Sequence, residues 1–101
     1  MARGRLVLHS KLEKFYDNVY FQPPANIQLE YPCIIYNKSD MNDIYGNDGV
    51  YIDFQQYKII VIERDPDSNI PKTMKNSLEH CRITGYYAVD NLHHTTLTIY
   101  H

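Results

Sequence analysis

The chain has 101 residues, of which 44% are hydrophobic and 22% charged, and its formal net charge at pH 7 is −2. This size favours one two-layer domain over two domains, and the composition is typical of a folded chain. The ten Lys and Arg residues are scattered except near the N-terminus. Tight nucleic-acid binding needs several clustered phosphate contacts, so we expect no sequence-specific binding of nucleic acid.

Membrane and secretory classes are also disfavoured by the sequence. No stretch approaches the roughly eighteen apolar residues of a membrane span, and the first residues lead into no signal-peptide core. We therefore expect synthesis in the cytoplasm and no membrane partner. Cys33 and Cys81 lack CxxC spacing, which favours two reduced thiols over a disulfide or a zinc site.

Tyrosine is unusually frequent, with ten Tyr residues against three Phe and no Trp. Tyr has an apolar ring and a polar tip, which suits half-buried sheet positions and also subunit interfaces. Both interpretations stay open from composition alone, because Tyr also has a high β-propensity.

The N-terminal segment is predicted to form a helix over about residues 6–20. Leu8, Leu12, Phe15 and Val19 recur at offsets of four, seven and eleven residues, which places them along one helical stripe. Two consecutive prolines then end the helix, since neither can continue it. An extended linker is expected to follow.

A short strand from Cys33 to Asn37 is predicted next, followed by a long loop over residues 38–53. This loop is rich in Asp, Asn and Gly, and it exceeds the usual connection length, which is typical of functional loops. Residues 50–54 have an alternative interpretation as the first arm of a hairpin with the following strand. We expect the apolar side chains of the loop to contact a partner: Met41, Ile44, Tyr45, Val50 and Tyr51.

The chain from residue 55 to 80 predicts a strand and a helix in direct succession. Four consecutive β-branched residues predict a central strand over about residues 55–64, buried on both faces. An Asp-Pro pair ends this strand. Asp67 or Ser68 can then cap a helix over about residues 69–80, which has a proline in its first turn.

The C-terminal segment predicts a hairpin over about residues 82–100, with Asp90 and Asn91 as turn residues. We expect Asp90, Asn91 and Leu92 to form a second contact with a partner. Together the elements predict an α+β fold, in which a small antiparallel or mixed sheet of about four to five strands packs against two helices.

Residues that could carry chemistry are few. The sequence contains no GxSxG, no phosphate loop and no HExxH, so we expect neither catalysis nor a cofactor. His93 and His94 would point to opposite faces of a strand, which argues against a shared metal ion. Asp65, Asp67 and Asn69 alternate as in a calcium loop. The glycine and the closing glutamate of such a loop are missing, however, so helix capping is favoured.

Three segments from Leu29 onward occur in a recognisable order and spacing. They are Tyr31-Pro32 with Ile35-Tyr36, then Val61-Ile62 with Asp65-Pro66-Asp67-Ser68 and Ile70-Pro71, then Asp90-Asn91-Leu92 with His94. In this pattern the chain resembles the small proteins of the head-to-tail neck of tailed bacteriophages, namely the tail terminators or tail-completion proteins. The resemblance does not cover the N-terminal third.

This resemblance implies a structural virion protein rather than an enzyme. Its subunits would form a ring, expected to be hexameric, that terminates the tail tube at the neck and joins it to the head connector. The implied partners are further copies of the chain, the tail tube protein and the head-tail connector or stopper protein, with DNA able to pass through the ring lumen. Two alternatives stay open: a head-completion or stopper protein of the connector, and a small host-directed binding protein.

Overall fold

The computed structural model describes residues 4–39 and 55–101. Two helices and a five-stranded mixed sheet form this part of the chain, which confirms the predicted α+β fold. In chain order the elements are α1 (Arg5–Leu12), β1 (Val19–Phe21), β2 (Cys33–Lys38), β3 (Gln56–Glu63), α2 (Ile70–Ser77), β4 (Cys81–Val89) and β5 (Leu92–Tyr100).

The strands are ordered β1-β2-β3-β5-β4, so β3 lies in the middle of the sheet as predicted. β1 and β2 are parallel, whereas the other three strand pairs are antiparallel. Ile59 and Val61 are fully buried on one face of β3, and Ile62 is buried on the other. The run of β-branched residues therefore marks the strand with the most buried position, where both faces exclude water.

One face of the sheet carries the main hydrophobic core, and we call it the helix face. Register aligns Tyr36 of β2, Ile59 of β3 and Leu97 of β5 side by side on this face. Leu8 of α1 and Met74 of α2 are buried in the same cluster. Full burial of such a side chain contributes about 1.5–3 kcal/mol, so the contacts of both helices with this face are a main source of stability.

The N-terminal helix is shorter than predicted, and the predicted bounds of 6–20 are wrong. α1 ends at Leu12, and Val19–Phe21 forms β1 instead. β1 pairs with β2, and the N–H of Ile34 donates to the carbonyl of Asn18 at 2.8 Å. Phe15 still packs against the core. Apolar spacing alone could not separate a helix from a turn and a strand, because the pairing with β2 is non-local.

Ser68 caps the start of α2, as predicted, although Asn69 occupies the N-cap position. The Ser68 hydroxyl accepts a hydrogen bond from the N–H of Ile70 at 3.2 Å, while the N-cap residue Asn69 makes no side-chain cap bond. Asp65 Oδ1 accepts the N–H of Asp67 at 2.9 Å, which closes the turn after β3. α2 ends at Ser77, before the predicted residue 80, and the chain then turns into β4.

The C-terminal hairpin forms where it was predicted. Asp90 and Asn91 link the two strands and have φ values of 54° and 63°. Two successive positive φ values define the tight hairpin turn that Asp and Asn tolerate better than most residues. A register shift between Ile83 and Gly85 adds a bulge to β4.

Candidate interaction surface

The predicted contact residues divide into two groups. Asp90 and Asn91 are exposed at the tip of the β4–β5 hairpin, and Leu92 beside them is half-buried. The tip is therefore accessible, and its contact with a partner stays a prediction. The loop residues Met41, Ile44, Tyr45, Val50 and Tyr51 lie outside the described residues.

β4 forms one edge of the sheet. Within residues 4–39 and 55–101, β5 is the only strand that pairs with it. An edge strand presents backbone N–H and C=O groups that can pair with another chain, and natural proteins often protect such edges with Lys or Pro. β4 contains neither residue, and Arg82 is its only charged residue.

Exposed apolar side chains are concentrated on β4. Four of the seven large hydrophobic side chains that are exposed in the described residues belong to this strand. They are Ile83 (42% exposed), Tyr86 (59%), Tyr87 (46%) and Val89 (51%). We call these four side chains, together with the outer edge of β4, the β4 edge surface. Exposed apolar side chains along a strand edge are a candidate interaction site.

Both tyrosines of the β4 edge surface stack on histidines of β5. The Tyr86 and His93 rings are stacked with centroids 6.1 Å apart, and Tyr86 Oη is 2.7 Å from His93 Nδ1. Tyr87 stacks on His94 with centroids 4.5 Å apart. The two histidines lie on opposite faces, as predicted from their adjacency. Because the rings are already ordered, a partner that contacts them loses less side-chain entropy on binding.

A cleft of about 270 Å³ adjoins the β4 edge surface, and Ile83, Tyr86 and His93 contribute to its walls. Glu63, at the end of β3, lies in the same cleft and is only 4% exposed. Its carboxylate accepts hydrogen bonds from the hydroxyls of Tyr16 and Ser68. A buried carboxylate needs such donors, so Glu63 ties the segment after α1 and the start of α2 to the sheet.

The hydrogen bond from Tyr16 to Glu63 makes the stability of the fold depend on pH. Burial and the hydrogen bond to Glu63 raise the pKa of Tyr16 to about 12. The folded state therefore favours the neutral phenol. Its contribution to stability is full below the ordinary value of about 10 and is lost as the pH rises through about 12.

We expect Tyr16→Phe to lower the free energy of unfolding at pH 8 by about 1–2 kcal/mol, because a hydrogen bond to a charged group is lost. The variant should also lose less stability than the wild type between pH 10 and 12. Urea unfolding at pH 8, 10 and 11 checks both statements, with Tyr87→Phe on the exposed surface as the control. Parallel pH curves for Tyr16→Phe and the wild type would contradict the assigned contact.

The two cysteines are free, as predicted. Burial raises the pKa of both the Cys33 and the Cys81 thiol to about 11. Both thiols are therefore protonated near neutral pH, and the reactive thiolate is scarce.

In the part of the chain that the structure describes, the side chains form no group of three or more His, Cys, Asp or Glu residues able to hold a metal ion. Neither of the two helices in those residues has the length and apolar character needed to cross a membrane.

Sequence reasoning predicted the hairpin tip but missed the β4 edge surface. The available signal was the segment from Ile83 to Val89, which contains two adjacent tyrosines and no charged residue. Which strand lies at the edge depends on the strand order, and sequence pattern does not reveal that order. Comparison with known proteins found no matching family model, no matching curated protein and no matching solved structure.

Proposed function

We propose that this chain is a structural subunit of the neck of a tailed bacteriophage. In this proposal it forms a ring, expected to be a hexamer, that terminates the tail tube and joins it to the head connector. The observation that supports assembly most strongly is the β4 edge surface. It offers both backbone hydrogen-bonding groups and exposed apolar side chains to a neighbouring copy.

Ring closure requires two different surfaces on each subunit, because a heterologous contact joins unlike patches. Among the strands of residues 4–39 and 55–101, β4 forms one edge of the sheet and β1 forms the other. β1 has only three residues, compared with nine in β4, so the two edges are not equivalent. Two unlike edges allow the head-to-tail arrangement that a closed ring requires.

Assignment to the neck rests on the sequence pattern from Leu29 onward. The hairpin tip is suited to a contact outside the ring, since Asp90 and Asn91 extend beyond the last paired residues of β4. We expect this tip to meet the tail tube or the connector. The ring would then work by shape and by repeated contacts, since several copies acting together bind more strongly than one.

Native mass spectrometry of the purified chain tests assembly. We expect a species of about six times the 11.9 kDa subunit mass, with its population rising with protein concentration. A monomer at every protein concentration measured would contradict ring formation.

A further inference from the structure

A row of polar residues crosses the sheet face opposite the helix face. Register places Lys58 of β3 beside Thr98 of β5, and Thr98 beside Arg82 of β4. Directly paired residues in antiparallel strands have Cβ atoms about 4.5–5.5 Å apart. Lys58 and Arg82 therefore flank Thr98, which is only 7% exposed between them. Both cationic side chains are long enough to reach one ligand above the threonine.

The described residues that surround this row are polar. The three residues line an open depression of about 510 Å³, and all seven residues that line it are polar. The other four are Ser39, Gln56, Thr84 and Thr96. Among the described residues, the lining thus contains two cationic groups, four hydroxyls and an amide, with no carboxylate. Such a set attracts an anion and offers it hydrogen-bond donors.

The cationic groups are available for a ligand. Among the residues that the structure describes, neither Lys58 nor Arg82 forms an ion pair with a carboxylate. The Ser39 hydroxyl oxygen, in the same depression, is buried and has no hydrogen-bond partner within those residues. A buried hydroxyl without a partner costs free energy, so a ligand that accepts a hydrogen bond there would relieve a cost.

We infer that this depression binds the phosphate group of a small phosphorylated molecule. The Arg82 guanidinium can donate two parallel hydrogen bonds to phosphate oxygens, Lys58 adds a second positive charge, and the Thr98 hydroxyl between them can donate to a remaining oxygen. The Thr84 hydroxyl already donates to the Thr96 carbonyl at 3.2 Å. A nucleic-acid backbone fits less well, because two cations on a chain of net charge −2 supply too few phosphate contacts.

Ligand-observed ³¹P NMR of inorganic phosphate with the monomeric 101-residue chain tests the site. We expect saturable line broadening that adenosine monophosphate competes away and that added chloride at equal ionic strength does not. Changing both Lys58 and Arg82 to Gln should weaken phosphate binding at least about tenfold. The matched control changes Lys72 and Lys75 on α2 to Gln, which removes the same charge and should leave binding unchanged.

An equal loss of phosphate binding in the two double variants would indicate general charge attraction and would contradict a specific site. Binding of single-stranded DNA by a chain that does not bind inorganic phosphate would also overturn it, in favour of a polymer surface. The measurement is made at a protein concentration at which the chain is monomeric, because Arg82 belongs to β4 and a ring contact along β4 would lie beside it. Failure of ring formation then leaves the result unchanged, because the depression is formed within one subunit.

Discussion

Changing Tyr86 and Val89 to lysine is expected to leave the subunit folded and to abolish ring assembly. Both side chains are more than half exposed on β4, so their replacement removes no core contact. Lysine on an edge strand opposes further strand pairing, because its charge must be desolvated when a neighbour docks. We expect the association to weaken by at least about 100-fold, which corresponds to the loss of one or two interface hot spots.

Size-exclusion chromatography with light scattering measures this effect, and circular dichroism verifies the fold. The control places two lysines on α2 by changing Thr73 and Asn76, both exposed. This control adds the same charge at exposed positions of α2, outside the β4 edge surface, and should assemble like the wild type. Normal rings from the β4 variant would show that neighbouring copies meet elsewhere on the molecule.

Shortening Leu8 to alanine is expected to destabilise the fold by about 2–4 kcal/mol, because a fully buried side chain of α1 is lost and a cavity remains. For a chain of this size, each kcal/mol lowers the melting temperature by about 4–8 °C. The same helix contains its own control. Leu6 is 67% exposed, so Leu6→Ala should change stability by no more than about 0.5 kcal/mol.

Thermal and urea unfolding of the two variants test how α1 is docked. The helix is held by further contacts, since the Tyr36 hydroxyl lies 3.0 Å from Arg5 Nη1 and 2.7 Å from His9 Nδ1. If both leucine variants were equally stable, α1 would not pack on the sheet through Leu8.

Elements set by local chemistry were predictable from the sequence. β3 carries four consecutive β-branched residues, and the Asp90-Asn91 turn uses residues that accept positive φ. Elements that depend on pairing with a distant strand were not predictable from the sequence. Val19–Phe21 continues the apolar spacing of α1 but becomes a strand, because β2 is available as its partner.

The candidate interaction surface also has one part that local sequence predicts and one part that it does not. The hairpin tip was identified through its turn residues, whereas the β4 edge surface depends on a strand order that joins β3 to β5 and leaves β4 outside. The composition of the segment from Ile83 to Val89 suits an edge strand and an inner strand equally well until the pairing is known. A bulge in this strand further shifts which side chains share a face.

The proposal that this chain terminates a phage tail is tested most directly by negative-stain electron microscopy of the protein alone and mixed with purified tail tubes. We expect rings of the free protein and a cap at one end of each tube. The Tyr86→Lys, Val89→Lys variant should form neither. Monomers that leave both tube ends bare would contradict a role in tail termination.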